Sequence, residues 1–230
     1  MKQSSIKDIS FFYREATSDL KTFKEVIQKD VYRKRGMTIN KNETWIDCGG
    51  NVGSFTLLAC SLGANVIVYE PDPNNCKMIE KNLKLNNFDA EIKNLALVHN
   101  EVKEANLYVG NNGNVWRNSI YKNWNGKGIR VDCVNFDEEL PEGVCVKMDI
   151  EGAEMPILER TNLKFKKMVY EWSFDIDPSL ERFWSIIDKQ KKMYDVKFEE
   201  HRTCYDDKRL TFWQKNWFPE CTNVFCYEKN

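Results

Sequence analysis

Residues 44–72, TWIDCGGNVGSFTLLACSLGANVIVYEPD, restrict this chain to few folds. Trp45 and Ile46 lead into Asp47, and residues 48–53 (CGGNVG) make a turn. Phe55, Leu57, Leu58, Ala59 and Leu62 mark a helix that Gly63 closes, and Val66 to Tyr69 reads as a short buried strand ending at Glu70. Strand, glycine turn, helix, strand and acid, in that order, suit a nucleoside. Glycines let the backbone approach the ligand, and an acid after the second strand accepts hydrogen bonds from ribose hydroxyls. A dinucleotide is disfavoured by the spacing. In the G-x-G-x-x-G register that ends at Gly53, Cys48 stands where the first glycine belongs. What fits is D-x-G-x-N-x-G over Asp47, Gly49, Asn51 and Gly53. An ordinary glycine-rich turn is the plainer alternative.

A chain of 230 residues buries one sizeable core. We read a single domain: a helical extension over 1–43, a cofactor-binding core over 44–175, and a C-terminal part over 176–230 that completes the sheet. The 34 Lys and Arg balance 35 Asp and Glu, so no basic field points to nucleic acid or an anionic membrane. No apolar run reaches membrane-spanning length and MKQSSIKDIS lacks a signal core, so a soluble, cytoplasmic protein is expected. Eight cysteines without C-x-x-C spacing, beside two histidines, argue against zinc and for reduced thiols used as small core residues.

Before the nucleoside unit, Leu20, Phe23, Ile27 and Val31 form one helical stripe after Thr17-Ser18-Asp19. Tyr32 and Arg33 read as surface positions rather than ligand contacts. After Pro71 and Asp72 a second helix runs to Asn86-Asn87, and residues 90–97 read as a third strand and turn. Residues 105–133 break the alternation with two clusters of turn residues and short β-prone pieces, a hairpin insertion. Trp116, Arg117, Tyr121 and Trp124 there form an aromatic–basic set that either covers a polar acceptor or pins the loop to the body. Residues 136–140 read as a short helix, and 144–148 as a buried strand ending in Asp149, with Glu151 and Glu154 where a helix begins. A fifth strand over 166–174 carries Glu171 and Trp172, Asp177-Pro178 starts a helix whose Trp184 reads as core, and 195–200 and 222–228 are the last strands. The segment between these, with His201, is a second wall for an acceptor.

Two stretches, DCGGNVGSFTLLACSLGANVIVYEPDPNN and VKMDIEGAE, resemble the FkbM family of methyltransferases. Its first motif matches Asp47, Gly49, Asn51 and Gly53; its E-P-D turn matches Glu70, Pro71 and Asp72; its N-x-A-L segment matches residues 94–97; and K-x-D-x-E-G-A-E matches residues 147–154. The resemblance covers about residues 40–175. It implies an α/β, Rossmann-like class I methyltransferase fold. That fold is a seven-stranded, mostly parallel sheet with an antiparallel last strand and helices on both faces. It further implies S-adenosylmethionine as donor and S-adenosylhomocysteine as product, with Asp47 facing the donor's ammonium end and Asn94 and Ala96 near its adenine. Family members are O-methyltransferases that often act on hydroxyls of sugars or polyketide-type compounds. A sugar or glycan acceptor is therefore expected; a small natural product, an RNA ribose, or a non-catalytic binding module remain alternatives.

An alcohol is a poor nucleophile unless its proton is taken as the bond forms. Asp149 is the first candidate base or acceptor-orienting group, followed by Glu171, Glu151 and His201. Trp172 joins the insertion aromatics as an acceptor contact. Two strand-end carboxylates are also able to hold Mg²⁺, but no third ligand stands out, and a metal is not favoured.

Overall fold

The computed structural model describes residues 1–110, 117–123, 127–198 and 221–229. The chain opens with a hairpin, β1 (Lys2–Ile6) and β2 (Ile9–Tyr13), turned at Lys7 with φ 53°. This corrects the expected all-helical extension. The hairpin lacks the Asn-Gly or Asp-Gly signal, and β2 alone turns an apolar face, Ile9 and Phe11, into the core. Helix α1 (Asp19–Phe23) continues into a π-helical turn at Lys24–Gln28 and a 3-10 turn at Val31–Arg33. The stripe does face inward, with Phe23 and Ile27 fully buried, but it winds through three helix types.

β3 (Thr44–Cys48), α2 (Ser54–Ser61), β4 (Asn65–Tyr69) and α3 (Pro73–Asn86) follow as expected, with Gly53 and Asn87 in the left-handed conformation at the start of α2 and the end of α3. The strand expected over 90–97 is two: β5 (Glu91–Lys93) pairs with β4, while β6 (Ala96–Val98) leaves for a second sheet. There it lies parallel to β8 (Gly128–Asn135), which pairs antiparallel with β7 (Glu104–Tyr108), the hairpin of the insertion. α4 (Phe136–Glu139), β9 (Cys145–Met148), α5 (Glu154–Arg160), β10 (Lys167–Ser173), α6 (Leu180–Lys191), β11 (Tyr194–Phe198) and β12 (Cys221–Glu228) complete the described elements. Ser179, whose hydroxyl accepts from Arg182 N, caps α6, two residues beyond the expected Asp177.

The main sheet has seven strands in the order β11-β12-β10-β9-β3-β4-β5, and β12 runs antiparallel to both its neighbours. β3, β4, β9 and β10 pair in parallel, and their central positions are mostly apolar and buried, as suits strands covered on both faces. Alternation sends Trp45 to the α2/α3 side, with Phe55 and Ile79, and Ile46 to the α5/α6 side, with Ile157 and Phe183. The strand ends carrying Asp47, Glu70, Asp149 and Glu171 thus stand side by side. Among the described residues no helix is long and apolar enough to cross a membrane. The seven described cysteines are free thiols, four of them buried.

Candidate active site

Two cavities meet at the carboxyl ends of β3, β4, β9 and β10, where open α/β sheets bind ligands. The first encloses about 530 Å³ of free space, the open solvent at its mouth included. Its polar side carries Gly49, Asn51, Glu70 and Asn75; its apolar side carries Leu95, Ala96, Ile150 and Ala153. Gly49 has φ +85°, and a Cβ there would lie 2.0 Å from the Asp149 carbonyl oxygen, so a side chain would close the turn.

Glu70 is 4% exposed. Its carboxylate accepts from Asn51 N (2.7 Å), Asp72 N (2.8 Å) and Asn75 Nδ2 (3.3 Å). Burial outweighs these bonds and pushes its proton affinity up to about 7. Asn75 in turn accepts from Arg14 Nη2 (2.9 Å), which ties the end of the N-terminal hairpin to this acid.

The second cavity is larger, about 1250 Å³ with its mouth. Asp149, Glu151 and Glu171 enter it beside Tyr32, Arg117 and Asp175. Asp149, Glu151, Gly49 and Asn51 line both cavities and form the passage between them. Burial, and then the negative charge of Asp149, hold Glu151 and Glu171 well above the usual carboxylate range. Arg117 pairs with Asp175 at 3.0 Å.

Several expected site residues take other positions. Asp47 lines neither cavity: it is fully buried, 3.0 Å from Lys147 Nζ, and accepts from Thr56 Oγ1 (2.7 Å). Lys147 also donates to Gly49 O (2.7 Å), so the pair braces the glycine turn from beneath. Burial alone would lower the Lys147 proton affinity, but Asp47 and Asp149 raise it, and the ammonium stays charged. Asp72 caps α3 through Asn74 N (2.8 Å) and also accepts from Asn118 Nδ2 (3.3 Å). Asn94 Nδ2 braces the E-P-D turn by donating to the carbonyls of Glu70 and Pro71 (both 2.9 Å). Glu154 serves the helix start, its carboxylate accepting from Ile150 N and from Gly152 N (2.7 Å). Burial pushes its proton affinity up to about 7. Trp172, expected as an acceptor contact, lines neither cavity: it is fully buried against Phe183, at 5.1 Å between ring centroids. A strand position pointing toward the α6 side cannot also reach the cleft. Trp184 is half-buried beside Phe183 and Phe198 instead of core. Tyr121 is exposed and lines neither cavity, its hydroxyl 3.3 Å from His99 Nδ1. Trp116, Trp124, His201 and most of the second wall lie outside the described residues.

The residue the sequence reading missed is Tyr32. Its hydroxyl donates to Asp149 Oδ2 at 2.6 Å from inside the second cavity. Nothing near Tyr32 in sequence announces this, because its partner is 117 residues away. Among the described residues no three His, Cys, Asp or Glu side chains are arranged to hold a metal ion.

A family model, the methyltransferase FkbM domain, matches residues 47–202. A protein described as an rRNA methylase, from Clostridium thermocellum, superposes with a TM-score of 0.50 at 9% identity, over 95% of this chain and 99% of that one. An S-adenosylmethionine-dependent O-methyltransferase from Thermotoga maritima superposes with a TM-score of 0.50 at 10% identity, over 89% and 66% of the two chains. The tRNA (uracil-54, C5)-methyltransferase of Pyrococcus abyssi, in complex with S-adenosyl-L-homocysteine, gives 0.50 at 15% identity, over 98% and 43%. At such identities the likeness is one of fold, the Rossmann-like class I methyltransferase fold. A search of curated protein sequences gives no match.

Proposed function

Because this chain belongs to the FkbM family of S-adenosylmethionine-dependent methyltransferases, we propose that it methylates a hydroxyl of a sugar or glycan. The observation that carries this reading is Asp149 in the passage between the cavity beside Glu70 and a larger one. The larger cavity is rich in groups that exchange hydrogen bonds with hydroxyls, among them Ser173, Asn223, Glu151 and Glu171. A polyhydroxylated acceptor satisfies such a lining, whereas an apolar one would strand it without partners.

S-adenosylmethionine supplies a methyl group already activated on its sulfonium. Glu70 accepts from the ribose hydroxyls, and Leu95, Ala96 and Ile150 flank the adenine. The bare Gly49 backbone admits the methionine part. Asp149 takes the acceptor hydroxyl's proton at Oδ1, its Oδ2 being held by Tyr32. Glu151 and Glu171, whose carboxyls burial and the charge of Asp149 hold well above the usual carboxylate range, hydrogen-bond neighbouring hydroxyls and keep the acceptor in place.

Donor binding is testable without an acceptor. S-adenosylmethionine and S-adenosylhomocysteine are expected to raise Tm, as native-state ligands must, and NAD to leave it unchanged. Equal stabilisation by NAD would refute the reading of the glycine turn. Glu70 also makes donor affinity depend on pH. Below about pH 7 the free protein holds Glu70 protonated, and accepting two ribose hydroxyls requires that proton to leave. Affinity measured calorimetrically is therefore expected to rise between pH 6 and 8 and then level off. Glu70→Gln should bind more weakly and lose the dependence.

The acceptor is tested with methyl-labelled donor and a panel of free and nucleotide-linked sugars, with phenols and RNA as controls. Label in a sugar ether supports the proposal. Label in RNA alone, or in none of the acceptors despite firm donor binding, overturns it.

A further inference from the structure

Tyr32 lies before the matched family region, on the 3-10 turn Val31–Arg33. It is 6% exposed, its ring meets Phe55 edge-on at 5.7 Å, and Lys147 Nζ stands 5.5 Å from the ring centroid. Its hydroxyl is spent on one partner, Asp149 Oδ2. A buried phenol aimed at a cleft carboxylate is not needed for packing, since phenylalanine would fill the same space. Burial and the adjacent carboxylates also keep it protonated, so it is a permanent donor.

We propose that Tyr32 is a positioning residue for methyl transfer: it clamps Asp149 Oδ2 and turns Oδ1 toward the acceptor. This rests on Asp149 being the base.

The surroundings of Asp149 make such a clamp useful. From its own loop it faces Glu151 and Glu154, from β10 Glu171, from β12 the Cys221 thiol, and from β9 Lys147, which is shared with Asp47 on β3. Arg117, at the cavity wall, is paired with Asp175. Acidic neighbours thus outnumber the cations. A neutral phenol stabilises the Asp149 carboxylate without adding a charge that would compete for the acceptor. A hydrogen bond to an ionised group is worth about one to two pH units of titration.

Tyr32→Phe keeps the ring and removes only the donor. In the free full-length protein carrying carboxyl-labelled aspartate, the resonance that disappears in Asp149→Asn is expected to titrate about one to two units higher in Tyr32→Phe. Fluorotyrosine at position 32, a stronger donor, should move the same midpoint the opposite way, and it guards against a packing defect in the phenylalanine variant. With an acceptor in hand, the acid limb of the kcat profile should move in parallel while donor Kd holds. A midpoint unchanged in both variants overturns the proposal. A shifted midpoint with an unmoved kcat profile shows that Asp149 is clamped but is not the base. In that case the functional reading of Asp149 fails and the contact itself stands.

Discussion

Asp149→Asn is expected to lower kcat by about 10²–10⁴, the range usually lost with a general base. Asparagine is nearly isosteric and its side-chain oxygen still accepts from Tyr32, but it cannot take a proton at neutral pH. The geometry of the passage should therefore survive while the chemistry does not. Single-turnover measurements with labelled donor separate the two, because donor affinity should change far less than the transfer rate. Added Mg²⁺ should leave both unchanged. Glu171→Gln is the parallel case: the amide keeps the size and the hydrogen-bonding capacity of a carboxyl that burial holds well above the usual range, so its effect should fall mainly on acceptor KM. Near-normal turnover in Asp149→Asn, with a large loss in Glu171→Gln, would transfer the role of base to Glu171.

Lys147→Met is expected to cost about 3–5 kcal/mol of stability, as when one partner of a buried ion pair is removed. Lys147 is 3% exposed, and its loss leaves the Asp47 carboxylate charged, fully buried and supported by Thr56 alone among the side-chain hydrogen bonds described. It also takes a donor from Gly49 O, directly under the turn that forms the floor of both cavities. For a chain of this size the loss corresponds to a fall in Tm of roughly 6–20 °C. Donor affinity should drop with it. The double change Asp47→Asn with Lys147→Met removes the stranded charge and should recover part of the stability, which denaturant titration would measure. A single variant within about 1 kcal/mol of the parent would mean that Asp47 takes up a proton or water in place of its partner.

Asp47 shows how a motif can be legible while the job of its residue is not. The D-x-G-x-N-x-G spacing located the turn, and Gly49 and Asn51 of that turn line a cavity. An acid at a strand end, however, points either into the cleft or back beneath it. The direction here was decided by Lys147, which reaches Asp47 from the neighbouring strand β9. Trp172 failed for a related reason. Successive strand residues face opposite sides, so Glu171 in the cleft commits Trp172 to the layer under α6. The hairpin β1–β2 escaped notice because its backbone is held from outside. Asn82 bonds both N and O of Phe12, and Asn86 both N and O of Ser10, standing in for a further strand.

The sequence by itself determined the βαβ unit, its glycine turn, the acids that follow β4 and β9 and the one within β10, and through its resemblance to a family it implied the antiparallel last strand. Those signals are local. Apolar period, helix ends and turn spacing arise from contacts within a few residues, or from short motifs that a family keeps together. Tertiary structure alone decided which acids enter the cleft, that Lys147 is locked under Gly49, and that Tyr32 holds Asp149. Each of these depends on side chains about a hundred residues apart meeting across a sheet. That meeting is set by strand order and by the face each residue takes, and neither is visible until every strand has been placed.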